Sequence, residues 1–65
     1  LNHLLRNTRL DRGLSVAELA ARVGVSAHAV YLWERGQNKP RDENLTALCK
    51  ILKLPVRATR ELAAA

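Results

Sequence analysis

A chain of 65 residues makes one domain, near the lower limit for a core that folds without staples. Eleven Lys and Arg against six Asp and Glu give a formal net charge of +5, which suits an anionic polymer as partner. With 48% hydrophobic residues but only Trp33 and Tyr31 aromatic, the core has to be Leu, Val and Ala. One cysteine excludes an internal disulfide and gives no metal-ligand spacing, and no apolar run approaches the roughly 20 residues of a membrane span. No signal peptide is visible, so a reducing, cytoplasmic setting is expected, and the start at Leu1 without methionine points to a fragment or a trimmed chain.

Taken in order, Leu1, Leu4, Leu5 and Thr8 recur at i, i+3, i+4 and i+7, the pattern of an amphipathic first helix. Arg6 points off that stripe and Arg9 borders it. Asp11-Arg12-Gly13 closes the helix with Gly13 at C′, and Leu14 leads as a hydrophobic staple into a cap at Ser15. Ser15 and Glu18 have the spacing of a capping box, Leu19, Ala20 and Val23 share one face, and Gly24 stops the second helix. Val25 turns into the core and Ser26 caps the third helix. There Ala29, Val30 and Trp33 share one face, while His28, Tyr31, Leu32 and Arg35 lie on the other. Ala20 is small where two helices crossing steeply after so tight a turn must touch. Residues 15–36 therefore read as a helix-turn-helix, whose second helix is normally presented to the DNA major groove.

The polar loop Gly36-Gln37-Asn38-Lys39-Pro40 follows, rich in turn residues. Arg41-Asp42-Glu43 starts a fourth helix with two acids in the first turn, where the macrodipole favours them. Its buried face is Leu45, Leu48, Cys49, Ile51 and Leu52. Pro55 suits the first position of a short fifth helix running through Val56, Thr59 and Leu62 to an alanine tail. There is no internal repeat and no linker. The expected architecture is all-α: five helices in one compact domain over residues 1–65.

Arg9, Gly13-Leu14-Ser15, Glu18-Leu19-Ala20, Val23-Gly24-Val25-Ser26, Val30, Trp33-Glu34-Arg35-Gly36, Pro40 and Leu45 form an ordered set along nearly the whole chain. In that set the sequence resembles the Cro/cI-type (XRE-like) helix-turn-helix family of phage repressors and bacterial regulators. The resemblance implies a lambda-repressor-like five-helix fold and sequence-specific binding of duplex DNA by a transcriptional regulator. It further implies a homodimer on a palindromic operator, repression by operator occupancy, and a place at the bacterial or phage nucleoid. It assigns base readout to Ser26, Ala27, His28, Tyr31 and Leu32, where Ala27 can touch a thymine methyl. Backbone phosphate falls to Arg9, Val16, Arg35, Asn38, Lys39 and Arg41, and Arg9 and Glu34 are implied as an ion pair between the first and third helices. Three positions depart from the family pattern. Val16 stands where glutamine is frequent and leaves only backbone N–H groups for phosphate. Arg41 replaces a common serine, and Lys53 a glycine.

Plainer roles are available to several of these residues. Trp33 reads as core, and Cys49 as a small buried hydrophobe. Arg6, Lys50, Arg57 and Arg60 read as a solvated face. An enzyme is not expected: there is no Gly-rich phosphate loop, no paired carboxylates, no nucleophile beside a base, and no metal or cofactor is implied. The competing reading is a protein-interaction module or antitoxin of the same fold, whose Tyr31–Leu32 patch meets a toxin or an effector domain. Apolar Ala27 and Leu32 on the presumed reading face support it.

Overall fold

The computed structural model describes residues 1–64; Ala65, which closes the expected 1–65 domain and its alanine tail, lies outside the described residues. Five helices follow one another: α1 (Asn2–Asp11), α2 (Val16–Val23), α3 (Ala27–Glu34), α4 (Asp42–Leu52) and α5 (Val56–Ala64). They fold into a body of 25 × 22 × 19 Å with no strand among the described residues. None of these helices is long and apolar enough to cross a membrane.

Local chemistry sets the helix ends. At the start of α2 the Glu18 N–H donates to Ser15 Oγ and the Ser15 N–H donates to Glu18 Oε1, both at 3.0 Å, a complete capping box. Four helices end on one device. A residue in the left-handed conformation is followed by one whose N–H donates to the carbonyl five residues back: Leu14 to Arg9, Val25 to Ala20, Gln37 to Leu32 and Leu54 to Cys49, at 2.8–3.1 Å. The left-handed residue is glycine after α1, α2 and α3, which have no Cβ to oppose it. After α4 it is Lys53, at φ 57°. The Arg12 guanidinium reaches the same helix end and donates to the Leu52 carbonyl at 3.1 Å, tying the close of α1 to the close of α4.

The core is Leu5, Leu14, Leu19, Ala20, Val30, Trp33, Leu48 and Leu52, with Val16, Val23, Val25, Ala29, Ile51 and Leu54 packed around it. Ala20 is buried on α2, which packs against α3. Trp33 and Cys49 are buried as well.

Four details differ from the sequence pattern. The inward face of α1 is turned so that Leu5 and Arg9 are the buried residues, with Leu1, Leu4 and Thr8 half-buried. Leu32 is half-buried and does not share the open face of α3 with Tyr31. Pro55 precedes α5 and its carbonyl accepts the Thr59 N–H at 3.0 Å, so it sits at the cap and not at the first helical position. On α5 only Thr59 is buried, while Val56 and Leu62 are 38% and 49% exposed, because α5 packs chiefly on α4.

Candidate nucleic-acid interface

Helix α3 is anchored from one side and open on the other. Ser26 Oγ accepts the Ala29 N–H at 3.1 Å and starts the helix, and Val30 and Trp33 are buried beneath it. Ser26, Ala27, His28, Tyr31 and Arg35 are exposed. With its side chains an α-helix is about 10–12 Å across, which fits the roughly 12 Å width of the B-DNA major groove. The exposed polar side chains are ordered among themselves. The His28 and Tyr31 rings stack with centroids 6.2 Å apart and 21° between planes, and the Arg35 guanidinium lies 5.3 Å from the Tyr31 ring centre. The spacing 28, 31, 35 places one side chain per turn on the same face. Tyr31 is thus held between a stacked neighbour and a cation–π neighbour.

Beneath this face, α1 is clamped to α3. Arg9 donates from Nε to Glu34 Oε2 at 2.6 Å and from Nη2 to Oε1 at 3.1 Å, while Nη1 donates to the Leu14 carbonyl at 2.8 Å. The two side chains are only 10% and 8% exposed. The hydrogen bond to Glu34 raises the Arg9 pKa above its already high ordinary value, against the opposing effect of burial, so the guanidinium stays charged. All three guanidinium nitrogens of Arg9 are engaged inside the fold. Burial gives it a scaffolding position.

At the start of α2 the capping box uses the N–H groups of Ser15 and Glu18, which leaves those of Val16 and Ala17 pointing out of the helix end. Beside them α1, α2 and α3 enclose a notch of about 300 Å³ lined by Arg6, Arg9, Val16, Tyr31, Glu34 and Arg35. Arg6, which from its place off the apolar stripe reads as ordinary surface charge, borders this notch. Only the crossing of α1 over α3 puts it there, so no local pattern could single it out.

The loop after α3 leads away from the stack. Asn38, Lys39 and Arg41 are exposed, and Arg41 occupies the cap position of α4 without a side-chain capping bond. Asn38 and Lys39 line a second concavity of about 200 Å³ together with Leu1, Asn2, Trp33 and Leu62. Among the described residues no group of His, Cys, Asp and Glu is placed to hold a metal ion.

Residues 1–63 match a family described as helix-turn-helix domain. The chain belongs to the helix-turn-helix domain family. No curated protein sequence is a significant match to this helix-turn-helix domain. Among solved structures, it is similar to the DNA-binding domain of the P22 C2 repressor, at 34% identity and a TM-score of 0.84, over 91% of this chain and 78% of that one. It is also similar to the clp gene regulator ClgR from Corynebacterium glutamicum, at 32% identity and a TM-score of 0.82, over 97% of this chain and 67% of that one. A second ClgR structure matches at 32% identity and a TM-score of 0.78, over 97% and 82%. The helix-turn-helix domain has the five-helix fold of repressor DNA-binding domains and is of the kind that carries DNA binding in transcriptional regulators.

Proposed function

We propose that this domain binds duplex DNA sequence-specifically and acts as a repressor by occupying its operator. The observation that carries the reading is the open face of α3, where His28, Tyr31 and Arg35 form an ordered column opposite buried Val30 and Trp33. A helix laid in the major groove with that face outward brings Ser26, Ala27, His28 and Tyr31 to base edges. Leu32, half-buried and off the exposed column, takes less part in readout. The N–H groups of Val16 and Ala17, together with Asn38, Lys39 and Arg41, meet backbone phosphate on either side. A net charge of +5 steers the association.

On this reading two copies bind half-sites about one helical turn, or about 34 Å, apart on a palindromic operator. Such a protein works inside the cell at the bacterial or phage nucleoid, needs no cofactor, and performs no catalysis. Selection from random duplexes, followed by titration of the selected site over a range of salt, tests the proposal. Enrichment of a two-fold symmetric sequence and a steep salt slope are expected. Failure to enrich any sequence, with tight salt-insensitive binding to a protein, would transfer the α3 face to the toxin or effector-domain reading.

A further inference from the structure

We infer that Arg35 is a positioning residue for sequence readout: it fixes the Tyr31 ring, Tyr31 in turn fixes His28, and base preference is set by a side chain that touches no base. The inference rests on the DNA-binding reading and deepens it by naming what aims the reading side chains. Its ground is the order of the contacts along α3. Every Cα–Cβ bond of an α-helix tilts toward the N-terminus, so a long side chain covers the turn before its own. Arg35 accordingly lies over Tyr31, its guanidinium carbon 5.3 Å from the ring centre. Tyr31 lies over His28 in the same sense, with the ring centroids 6.2 Å apart and 21° between planes. The N-terminal residues of a recognition helix are the ones that meet base edges. Arg35 is the C-terminal cap of α3, about two turns from His28, and reaches that end only through Tyr31.

Tyr31 needs such a support. It is 47% exposed, so core packing does not fix its ring. On a helix, two χ1 wells are open to an exposed tyrosine, near 180° and −60°, because the third drives the ring into the preceding turn. Exchange between the two sends the phenol hydroxyl to a different place in the groove and breaks the stack on His28. A cation over the ring at an exposed site favours one well by about two- to fivefold. Arg35 is well placed to supply it, because its own backbone is fixed. Its N–H donates to the Tyr31 carbonyl at 3.1 Å, and the Gln37 N–H closes the turn behind it on the Leu32 carbonyl at 3.0 Å. No acid draws the guanidinium off the ring: the adjacent Glu34 is engaged by Arg9, and among the described residues no carboxylate lies within ion-pair distance of Arg35. A planar guanidinium also stacks on an aromatic face better than an ammonium does.

The test separates aiming from holding. Anisotropy titrations at a fixed salt of about 100 mM compare the selected duplex with its single-base variants for the wild type, Arg35→Ala, Tyr31→Ala and the double variant. Arg35 is exposed, so its replacement removes no core contact, and Trp33 fluorescence checks that each variant is folded. Arg35→Ala should narrow the preference for the selected duplex by about two- to fivefold. In the Tyr31→Ala background the same change should leave the preference as it is. An equal loss on every duplex would make Arg35 a backbone contact alone and overturn the proposal. A loss of preference of the same size with and without Tyr31 would overturn it too, by making Arg35 a base reader. A wild type that prefers no sequence would instead sink the DNA-binding reading itself.

A second readout uses the DNA-free protein and does not depend on that reading. In the wild type, the three-bond couplings of Tyr31 should report one dominant χ1 rotamer, and the His28 ring protons should carry a ring-current shift from Tyr31. In Arg35→Ala the couplings should move toward the average of two rotamers and the His28 shift should shrink. Couplings and shifts that are the same in both proteins would show that Arg35 does not order the column, and would overturn the proposal whatever the DNA titrations give.

Discussion

Removing Glu34 should destabilise the domain far more than removing Glu34 and Arg9 together. Glu34 supplies two charge-assisted hydrogen bonds to a guanidinium whose side chain is 10% exposed, and its own side chain is 8% exposed. Glu34→Ala leaves the Arg9 cation buried with only the Leu14 carbonyl as acceptor, and breaking such a pair from one side costs about 3–5 kcal/mol. Arg9→Ala strands both the Glu34 carboxylate and the Leu14 carbonyl, so its cost should be of similar size, about 3–5 kcal/mol. A domain of this length holds only about 3–10 kcal/mol in total, and either single variant is expected to be partly unfolded at room temperature. The combined Arg9→Met, Glu34→Leu variant removes both charges and refills the space, and should lie within about 1–2 kcal/mol of the wild type. Urea unfolding followed by Trp33 fluorescence measures all three, and with the Arg9→Ala, Glu34→Ala double variant closing the cycle, coupling of at least about 2 kcal/mol is expected. Strict additivity of the two single changes would show that the pair is no more than two adjacent charges, and the clamp between α1 and α3 would have to be sought elsewhere.

Lys53 holds the left-handed conformation at φ 57° that the other three helix ends give to glycine, so Lys53→Gly should stabilise by about 0.5–1 kcal/mol and raise the melting temperature; a lower melting temperature would show that the lysine side chain compensates its strain. The Ser15 N–H, then the Ser15 hydroxyl, hold the Glu18 carboxyl below its ordinary value of 4.5. Its contribution is complete above the unfolded-state pKa and is lost as pH falls through the lower folded-state value. Thermal melts between about pH 7 and 3 should therefore show the wild type losing more stability than Glu18→Gln; parallel curves would remove the capping box from the pH response. His28→Ala and Tyr31→Ala should each cost about 1–3 kcal/mol on the selected duplex and little on random DNA, whereas Lys39→Ala and Arg41→Ala should weaken both alike. Competition titrations with the two duplexes check this, and equal losses for all four variants would contradict the division between reading and holding.

The sequence alone determined whatever depends on neighbours within about one turn. Ser15 with Glu18, Ser26, and the glycines at 13 and 24 mark helix ends because capping is an exchange between a side chain or a bare Cα and backbone groups three to five residues away. Trp33, Val30, Leu19 and Ala20 share inward faces because helical periodicity alone aligns them, and five helices follow from those signals. The outward face of α3 was legible for the same reason. Lys53 shows the limit of this local code: a lysine carries no mark of a left-handed conformation, and the bond from Leu54 to Cys49 becomes visible only in three dimensions.

Tertiary structure decided the rest, because a helix crossing is set by packing and not by any one segment. The stripe on α1 turned far enough to bury Arg9, which a charge-based reading leaves near the surface, since Glu34 and the Leu14 carbonyl arrive to satisfy all of its nitrogens. Val56 and Leu62 stayed open because α5 packs chiefly on α4, with Thr59 as its buried residue. Arg6 reached the notch beside Arg35, 29 positions further along, through the same α1–α3 crossing that carries the Arg9–Glu34 clamp. A helical repeat records which residues share a face; which face meets which neighbour depends on how all five helices fill one core.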